Sequence, residues 1–470
     1  MNFVSWAFLA LLAVVMAARL TIGRRRVEAP FLGVMLAASL VFYAWHIPAY
    51  VAVLLASSTV DYVAARRLVR HAPGSARRRA WLVASLVSNL GLLAVFKYAT
   101  FAAETAETIA AAAGRDLRLP EVGLILPMGI SFYTFQTLSY TIDVYRGILA
   151  PLPHYGRFLL YISFFPQLVA GPIVRAREFL PQMPRPRRLH LRAFYQGAWL
   201  ILLGYFLKMV CADNLAAYVD EYWDRGTRVD GNATFAWWLA FMFSGQIFAD
   251  FCGYSTIAQG LGYWLGFRFP RNFNAPYIAG SFKNFWERWH ITLSRWLRDY
   301  LYVPLGGNRR GTARTAVNLM LVMLLGGLWH GAAWTFVVWG GLHGLCLGIE
   351  RALGLQRDGA GGRALRLAWA VVVQLAVLVA WVVFRSATIG DAWRFVRNMA
   401  VGTVVMPDPW MLAAPLFLAP LVVMHGVTWL RERGWMAAPG PALQGVIAAL
   451  MAYAILTLHG GTSDFIYFQF

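Results

Sequence analysis

The sequence predicts an all-α, multi-pass integral membrane protein, and three observations lead there. Of 470 residues, 59% are apolar and only 14% are charged, outside the range of ordinary soluble domains. Apolar runs close to the roughly 20 residues that a bilayer core of about 30 Å demands recur along the whole chain. Of the 42 Lys and Arg, which against 22 Asp and Glu set a formal charge of +20, all but Lys97 and Lys208 fall in the stretches between those runs. Juxtamembrane basic loops have this distribution under the positive-inside rule. No nucleic-acid motif accompanies the charge, so nucleic acid is not an expected partner.

The first run, residues 1–18, has no basic residues ahead of it and is followed by Arg19 and Arg24 to Arg26, so it reads as a retained helix rather than a signal peptide. Residues 31–65 are too long for one span, and His46-Ile47-Pro48 breaks them. Two short helices there bring the basic loops at 19–26 and 66–79 to one side. Further spans are expected near 81–102, 122–142, 193–212, 234–256, 315–329, 332–349, 367–385, 411–430 and 441–459, about twelve in all. Both termini then lie outside the cytoplasm, and Lys97 and Lys208 are the cations left within spans. The segment YISFFPQLVAGPI, residues 161–173, carries Pro166, Gly171 and Pro172 and is expected to be re-entrant or interfacial. Cys211, Cys252 and Cys346 stand far apart in apolar runs and read as free thiols. Residues 1–470 are read as a single transmembrane domain.

Residues 265–314 form a hydrophilic segment assigned to the cytoplasmic side. Within FKNFWERWHITLSRWLRDYLYVPLGGNRR, residues Trp286, Trp289, His290, Leu293 and Leu297 recur at helical spacing, with Arg288, Thr292, Arg295 and Asp299 on the opposite face. The pattern predicts one amphipathic helix at the membrane surface. Pro304 and Gly306-Gly307 end it. Arg295, Arg298, Arg309 and Arg310 suit either anionic membrane lipid or a phosphate-bearing donor.

The pair of runs at 315–349 contains GGLWHGAAW, with His330 the one ionisable residue of that stretch. Fifteen residues from Thr315 to Trp329 rise roughly 22 Å at 1.5 Å each, which places His330 deep in the bilayer beside a chain reversal. Ionisable groups at such depth are functional candidates, and a neutral imidazole is the form a general base requires. A buried structural histidine is the alternative reading. His343, thirteen residues on, reads as a structural or secondary group. The sequence has no GxGxxG after a strand, GxxxxGK[ST], HExxH or GxSxG motif, and no paired cysteines. Hydride transfer, nucleotide hydrolysis, zinc proteolysis and a metal site are therefore not expected.

Two of these stretches, FWERWHITLSRWLRDYLYVPLGGNRR and LLGGLWHGAAWTFVVWGGLHG, resemble the membrane-bound O-acyltransferases. SFYTFQTLSYTIDVYRG at 131–147, SFFPQLVAGPIVRAREFLPQ at 163–182 and FIYFQF at 465–470 resemble the bacterial branch of that family that includes the alginate O-acetylation membrane subunit. The resemblance implies a ring of about 11 to 12 transmembrane helices with re-entrant and interfacial helices. It also implies an inner-membrane location, a cytoplasmic entrance for an acyl thioester and an outer entrance for the acceptor. His330 matches the family's catalytic histidine and His290 its second characteristic polar position. Trp289, Arg295, Arg298, Asp299, Tyr300, Asn308 and Trp329 are the candidate substrate-binding residues. The implied reaction is acetyl transfer from acetyl-CoA, with no tightly bound cofactor, toward an exopolysaccharide hydroxyl or a periplasmic SGNH-like partner. His330 would act as a general base or carry the acyl group itself. Transfer of D-alanine to a cell-wall polymer, a transporter and a scaffold of a secretion complex stay open as alternatives.

Overall fold

The computed structural model describes the chain apart from residues 2, 23–27, 46, 121–122, 169–170, 185–188, 225–230, 357–361, 405–412, 462–464 and 467–470. Among the described residues the regular structure is helical, with one isolated bridge between Asn232 and Thr403. Six helices are long and apolar enough to cross a membrane: Ala76–Ala112, Leu191–Trp223, Ala233–Leu265, Gly311–His330, Arg363–Arg385 and Ala414–Glu432. Shorter apolar helices are Trp6–Thr21, Ala29–Ala44 and Pro441–Thr457. The multi-pass, all-α expectation is met.

The helices form two compact units. The first comprises Met1–Ala198 and Ala258–Pro270. It opens with α1 (Trp6–Thr21), α2 (Glu28–Ala44) and α3 (Tyr50–Leu68), so the run at 31–65 divides in two as its length requires. His46, at the centre of the expected break, lies outside the described residues. Next come α4 (Ala76–Leu93) and α5 (Ala99–Ala112), joined through a π-helical turn at Ala94–Tyr98. The span expected at 122–142 begins only at Ile130, as α6 (Ile130–Tyr145). Its sixteen residues reach about 24 Å, and all but a few are buried. Polar groups explain why this helix sits in the protein instead of facing lipid. Asp61 on α3 is fully buried and accepts from Asn89 Nδ2 at 2.9 Å, from Ser85 on α4 and from Thr141 on α6. Asn89 Oδ1 in turn accepts from Ser57 and Thr137, each at 3.0 Å. Buried polar groups need such partners. The 161–173 segment breaks as expected, into α7 (Tyr155–Ser163) and α8 (Phe165–Leu168), followed by α9 (Ala176–Phe179). Its described residues are buried among aromatic rings, with the Phe164 ring tilted against those of Phe179 and Phe267 at 5.2 and 5.1 Å.

The second unit comprises Trp199–Ile257 and Arg271–Phe470. Helix α10 (Leu191–Tyr205) passes through a π-helical segment, Phe206–Ala212, into α11 (Asp213–Asp224), and α12 (Ala233–Leu265) follows. Two short helices, α13 (Phe282–Arg288) and α14 (Ile291–Leu297), lead into a third π segment at Arg298–Tyr302. Then come α15 (Gly311–His330), α16 (Trp334–Ala352), α17 (Arg363–Arg385), α18 (Ile389–Val401), α19 (Ala414–Glu432) and α20 (Pro441–Thr457). The α15–α16 hairpin is the expected helix pair, and glycine makes it tight. A Cβ on Gly327 would stand 2.2 Å from the Phe336 carbonyl oxygen, and one on Gly340 2.4 Å from that of Met323. The two backbones therefore touch, as small residues allow between helices in lipid.

Candidate active site

The site lies in the second unit and starts from the end of α15. His330 is its last helical residue and is 5% exposed. The chain turns at Gly331, where a Cβ would come within 1.9 Å of the Phe336 ring, so only glycine lets the reversal close on that ring. Edge-to-face contacts with Trp329 at 5.0 Å, Trp339 at 5.1 Å and Phe384 at 5.6 Å surround the imidazole. Centroid spacings of this kind are favourable for aromatic pairs. They also fix the ring's orientation.

The expected continuous helix across residues 282–302 is not formed. Residues Trp289 and His290 interrupt it, and His290 adopts φ +42°, in the left-handed region. A non-glycine residue held there stores strain and needs surroundings that impose it. Asn272 supplies them. Its backbone carbonyl accepts from Ile291 N–H at 2.9 Å, and its Oδ1 accepts from Thr292 N–H and Oγ1 at 3.3 and 2.9 Å. His290 Nδ1 stands 3.0 Å from the same oxygen. An oxygen that already accepts can only accept again, so Nδ1 carries the proton and Nε2 keeps its lone pair. Nε2 has no hydrogen-bond partner among the described residues. Burial holds this imidazole well below its ordinary pKa, at about 3, so it stays neutral. The expected two-faced pattern holds only in part: Trp289, His290, Leu293 and Leu297 of the apolar face are buried, but so is Thr292 of the polar one. Trp289 is fully buried, against Trp381 at 4.7 Å and Phe273 at 5.1 Å, and Arg288 pairs with Glu432 of α19 at 2.7 Å.

A cavity of about 490 Å³ runs beside His330. His330, Gly326, Trp339 and Trp286 line it, together with Lys283, Glu287, Arg295, Arg298, Glu350 and Arg351. Arg351 lies twelve residues beyond Trp339, about 18 Å along α16, so one end of the cavity is charged and the other is aromatic. Arg298 pairs with Asp299 at 2.8 Å, and Lys283 stands 3.6 Å from Glu287. Arg295 and Arg351 have no ion-pair partner among the described residues, which leaves two cations for an anionic ligand. Glu350 is 1% exposed and accepts from Phe282 and Lys283 N–H and from Trp369 Nε1. It thereby caps the start of α13 and ties it to α16 and α17.

Of the residues chosen from sequence, His330, Arg295 and Arg298 line the cavity. His290 and Trp329 stand behind it, 6.4 and 5.0 Å from the His330 ring. Trp289 is core, and Tyr300 is buried with its ring tilted against that of Trp296 at 5.1 Å. Asp299 serves Arg298, and Asn308 is exposed in the turn before α15. Sequence reasoning missed Glu350 and Arg351. Their signal was an acid-base pair directly at the end of an apolar run. Trp286 was assigned to an apolar face and Trp339 to a span interior.

Comparison with known proteins places these residues in a family. The sequence model of the membrane-bound O-acyltransferase family (MBOAT) matches residues 148–366, which include His290, His330 and the cavity's charged lining. The chain is 41% identical to the probable alginate O-acetylase AlgI of Azotobacter vinelandii over 78% of its own length and 72% of that protein's. Identity to the peptidoglycan O-acetyltransferase of Helicobacter pylori is 36%, over 77% and 72%. Identity to the teichoic acid D-alanyltransferase of Bacillus subtilis is 29%, over 48% and 60%. A buried histidine at the aromatic end of a cavity with a cationic mouth, on a chain so closely related, belongs to a membrane-bound O-acyltransferase.

Proposed function

We propose that the enzyme moves an acetyl group from cytoplasmic acetyl-CoA to a hydroxyl of a polysaccharide outside the inner membrane, directly or through a periplasmic SGNH-like partner. The carrying observation is the cavity's polarity, with Arg351 about 18 Å along α16 from Trp339, whose ring packs on His330. A donor with phosphates at one end and a thioester at the other matches that order. His330 takes the proton of the accepting hydroxyl while its oxygen attacks the thioester carbonyl. The C–S bond then breaks, and the thiolate leaves with a proton. His290, neutral and fixed by Asn272, positions the reacting end from behind. General-base help is typically worth about 10² to 10⁴ in rate, and alignment and electrostatic stabilisation add the remainder.

The relatives named as acetylases match more of this chain, at higher identity, than the D-alanyltransferase does, which favours acetyl over D-alanyl cargo. The charge distribution supports basic loops, and with them residues 265–314, on the cytoplasmic side and both termini in the periplasm. Purified protein in sealed vesicles, given radiolabelled acetyl-CoA on one face and polysaccharide on the other, tests the proposal. Label should reach the polymer with wild type and not with His330→Ala. Equal transfer by both would refute it.

A further inference from the structure

We infer that Phe465 and Ile466 position His290, and that Asp250 on α12 holds them in place. Just after α20, Leu458 and Gly460 lie against the end of the π-helical segment that precedes α11 and the start of α11. Gly460 N–H donates to the Met209 carbonyl at 3.0 Å, and Asn214 Nδ2 donates to the Leu458 carbonyl at 2.7 Å. Ile466 N–H then donates to Asp250 Oδ2 at 2.7 Å. The other oxygen of that carboxylate faces Lys208 Nζ at 2.9 Å, and the same ammonium reaches Asp213 Oδ1 at 2.8 Å. All three side chains are at most 3% exposed.

One buried ammonium between two buried carboxylates leaves negative charge to be met, and a backbone N–H aimed at Asp250 meets it. A charged hydrogen bond in a dry interior fixes position more sharply than an apolar contact can. Next to Asp250 on the same helix, Phe251 packs edge-on against the His290 ring at 4.7 Å. Phe465, 1% exposed, packs on Tyr254 at 4.4 Å and on Phe251 at 5.9 Å. His290 is thus held by Asn272 and by the Phe251 ring, and Phe465 packs in turn on Phe251. Asp250, Phe465 and Ile466 touch no reacting atom. They are positioning residues, and this role rests on the acetyl-transfer reading of His290 and His330.

Two substitutions separate the contacts. Ile466→Pro removes the N–H and keeps the chain, and Phe465→Ala removes the ring. In full-length protein reconstituted in vesicles, each should lower acetyl turnover at least tenfold while the donor KM stays within twofold, and Phe465→Tyr should restore most of the rate. Cys252, buried beside Phe251 on α12, gives a readout independent of activity. In a background with Cys211 and Cys346 replaced by alanine, its alkylation by N-ethylmaleimide should quicken at least tenfold in both variants. Turnover within twofold of wild type in both, or a loss that only tracks the amount of protein, would overturn the inference. If wild type transferred no acetyl group, the proposed function would fall, and unchanged Cys252 alkylation alone would then decide against the latch.

Discussion

His290 and His330 lie with their ring centroids 6.4 Å apart and their planes at 63°, although forty positions separate them in the chain. One sits at a strained break between two short helices and the other at the last turn of a long one. Asn272 fixes His290, while Trp329 of α15, Trp339 of α16 and Phe384 of α17 surround His330.

His330→Ala should lower acetyl transfer by about 10² to 10⁴ with protein at its normal level in the membrane, because the lost function is proton transfer. Turnover per molecule of membrane-inserted protein is the measurement. A variant retaining a third of wild-type turnover would remove His330 from the chemistry.

His290 sets a pH prediction whose sign can be worked out. Its folded pKa, near 3, lies below the ordinary value near 6.5, so it takes up no proton over pH 5 to 8 and contributes no acid limb there. Asn272→Asp would place a carboxylate at the atom now 3.0 Å from Nδ1. An adjacent negative charge favours the imidazolium and raises the pKa. The acid limb of the pH-rate profile should therefore move to higher pH in the variant. Superimposable profiles would contradict the assigned contact.

Gly331→Ala should destabilise the hairpin by about 1 to 3 kcal/mol, the usual range for an added methyl in a packed interior. Its Cβ would collide with the Phe336 ring. The backbone at Gly331 is extended and open to any residue, so the cost is steric, and Phe336→Leu in the same chain should recover part of it. Thermal unfolding in detergent reads both changes.

Arg351→Ala should raise the donor KM roughly threefold to tenfold and Arg298→Ala less, because Arg298 is already paired with Asp299. The difference should shrink in high salt as exposed charges are screened. Equal effects of the two substitutions at low salt would count against a phosphate seat at Arg351.

Sidedness is testable without any enzymology. With the native cysteines replaced, single cysteines at Ser75 and Asn308 should be shielded from an impermeant thiol reagent in intact cells, and one at Gly231 should react. Labelling at Asn308 from outside would put the cationic end of the cavity on the wrong face for acetyl-CoA.

The hairpin at 315–349 was legible because its glycines and the histidine at its turn, His330, are local features, and local features survive reading along a line. Span positions were legible for the same reason, since length and hydropathy belong to each run alone. The break at His290 was not. The spacing of Trp286, Trp289, Leu293 and Leu297 is that of an unbroken helix, and the residue that interrupts it, Asn272, acts from eighteen positions away. Lys208 stood out in sequence as a cation inside an apolar run, but its meeting with Asp213 and Asp250 depends on how helices pack. α6 was misplaced because hydropathy counts its tyrosines and phenylalanines as lipid-facing, whereas its threonines and Asp143 are buried in protein.

The π-helical segment at Phe206–Ala212 carries more than Lys208. A π turn holds an extra residue relative to regular α geometry, and each residue advances a helix by about 100°. Winding the same residues at ordinary α pitch would instead turn everything beyond them by about that angle. Asp213 and Asn214 would swing away from Lys208 and from the Leu458 carbonyl together. The wide turns of the segment thus absorb an added residue and keep α11 in phase with both its partners.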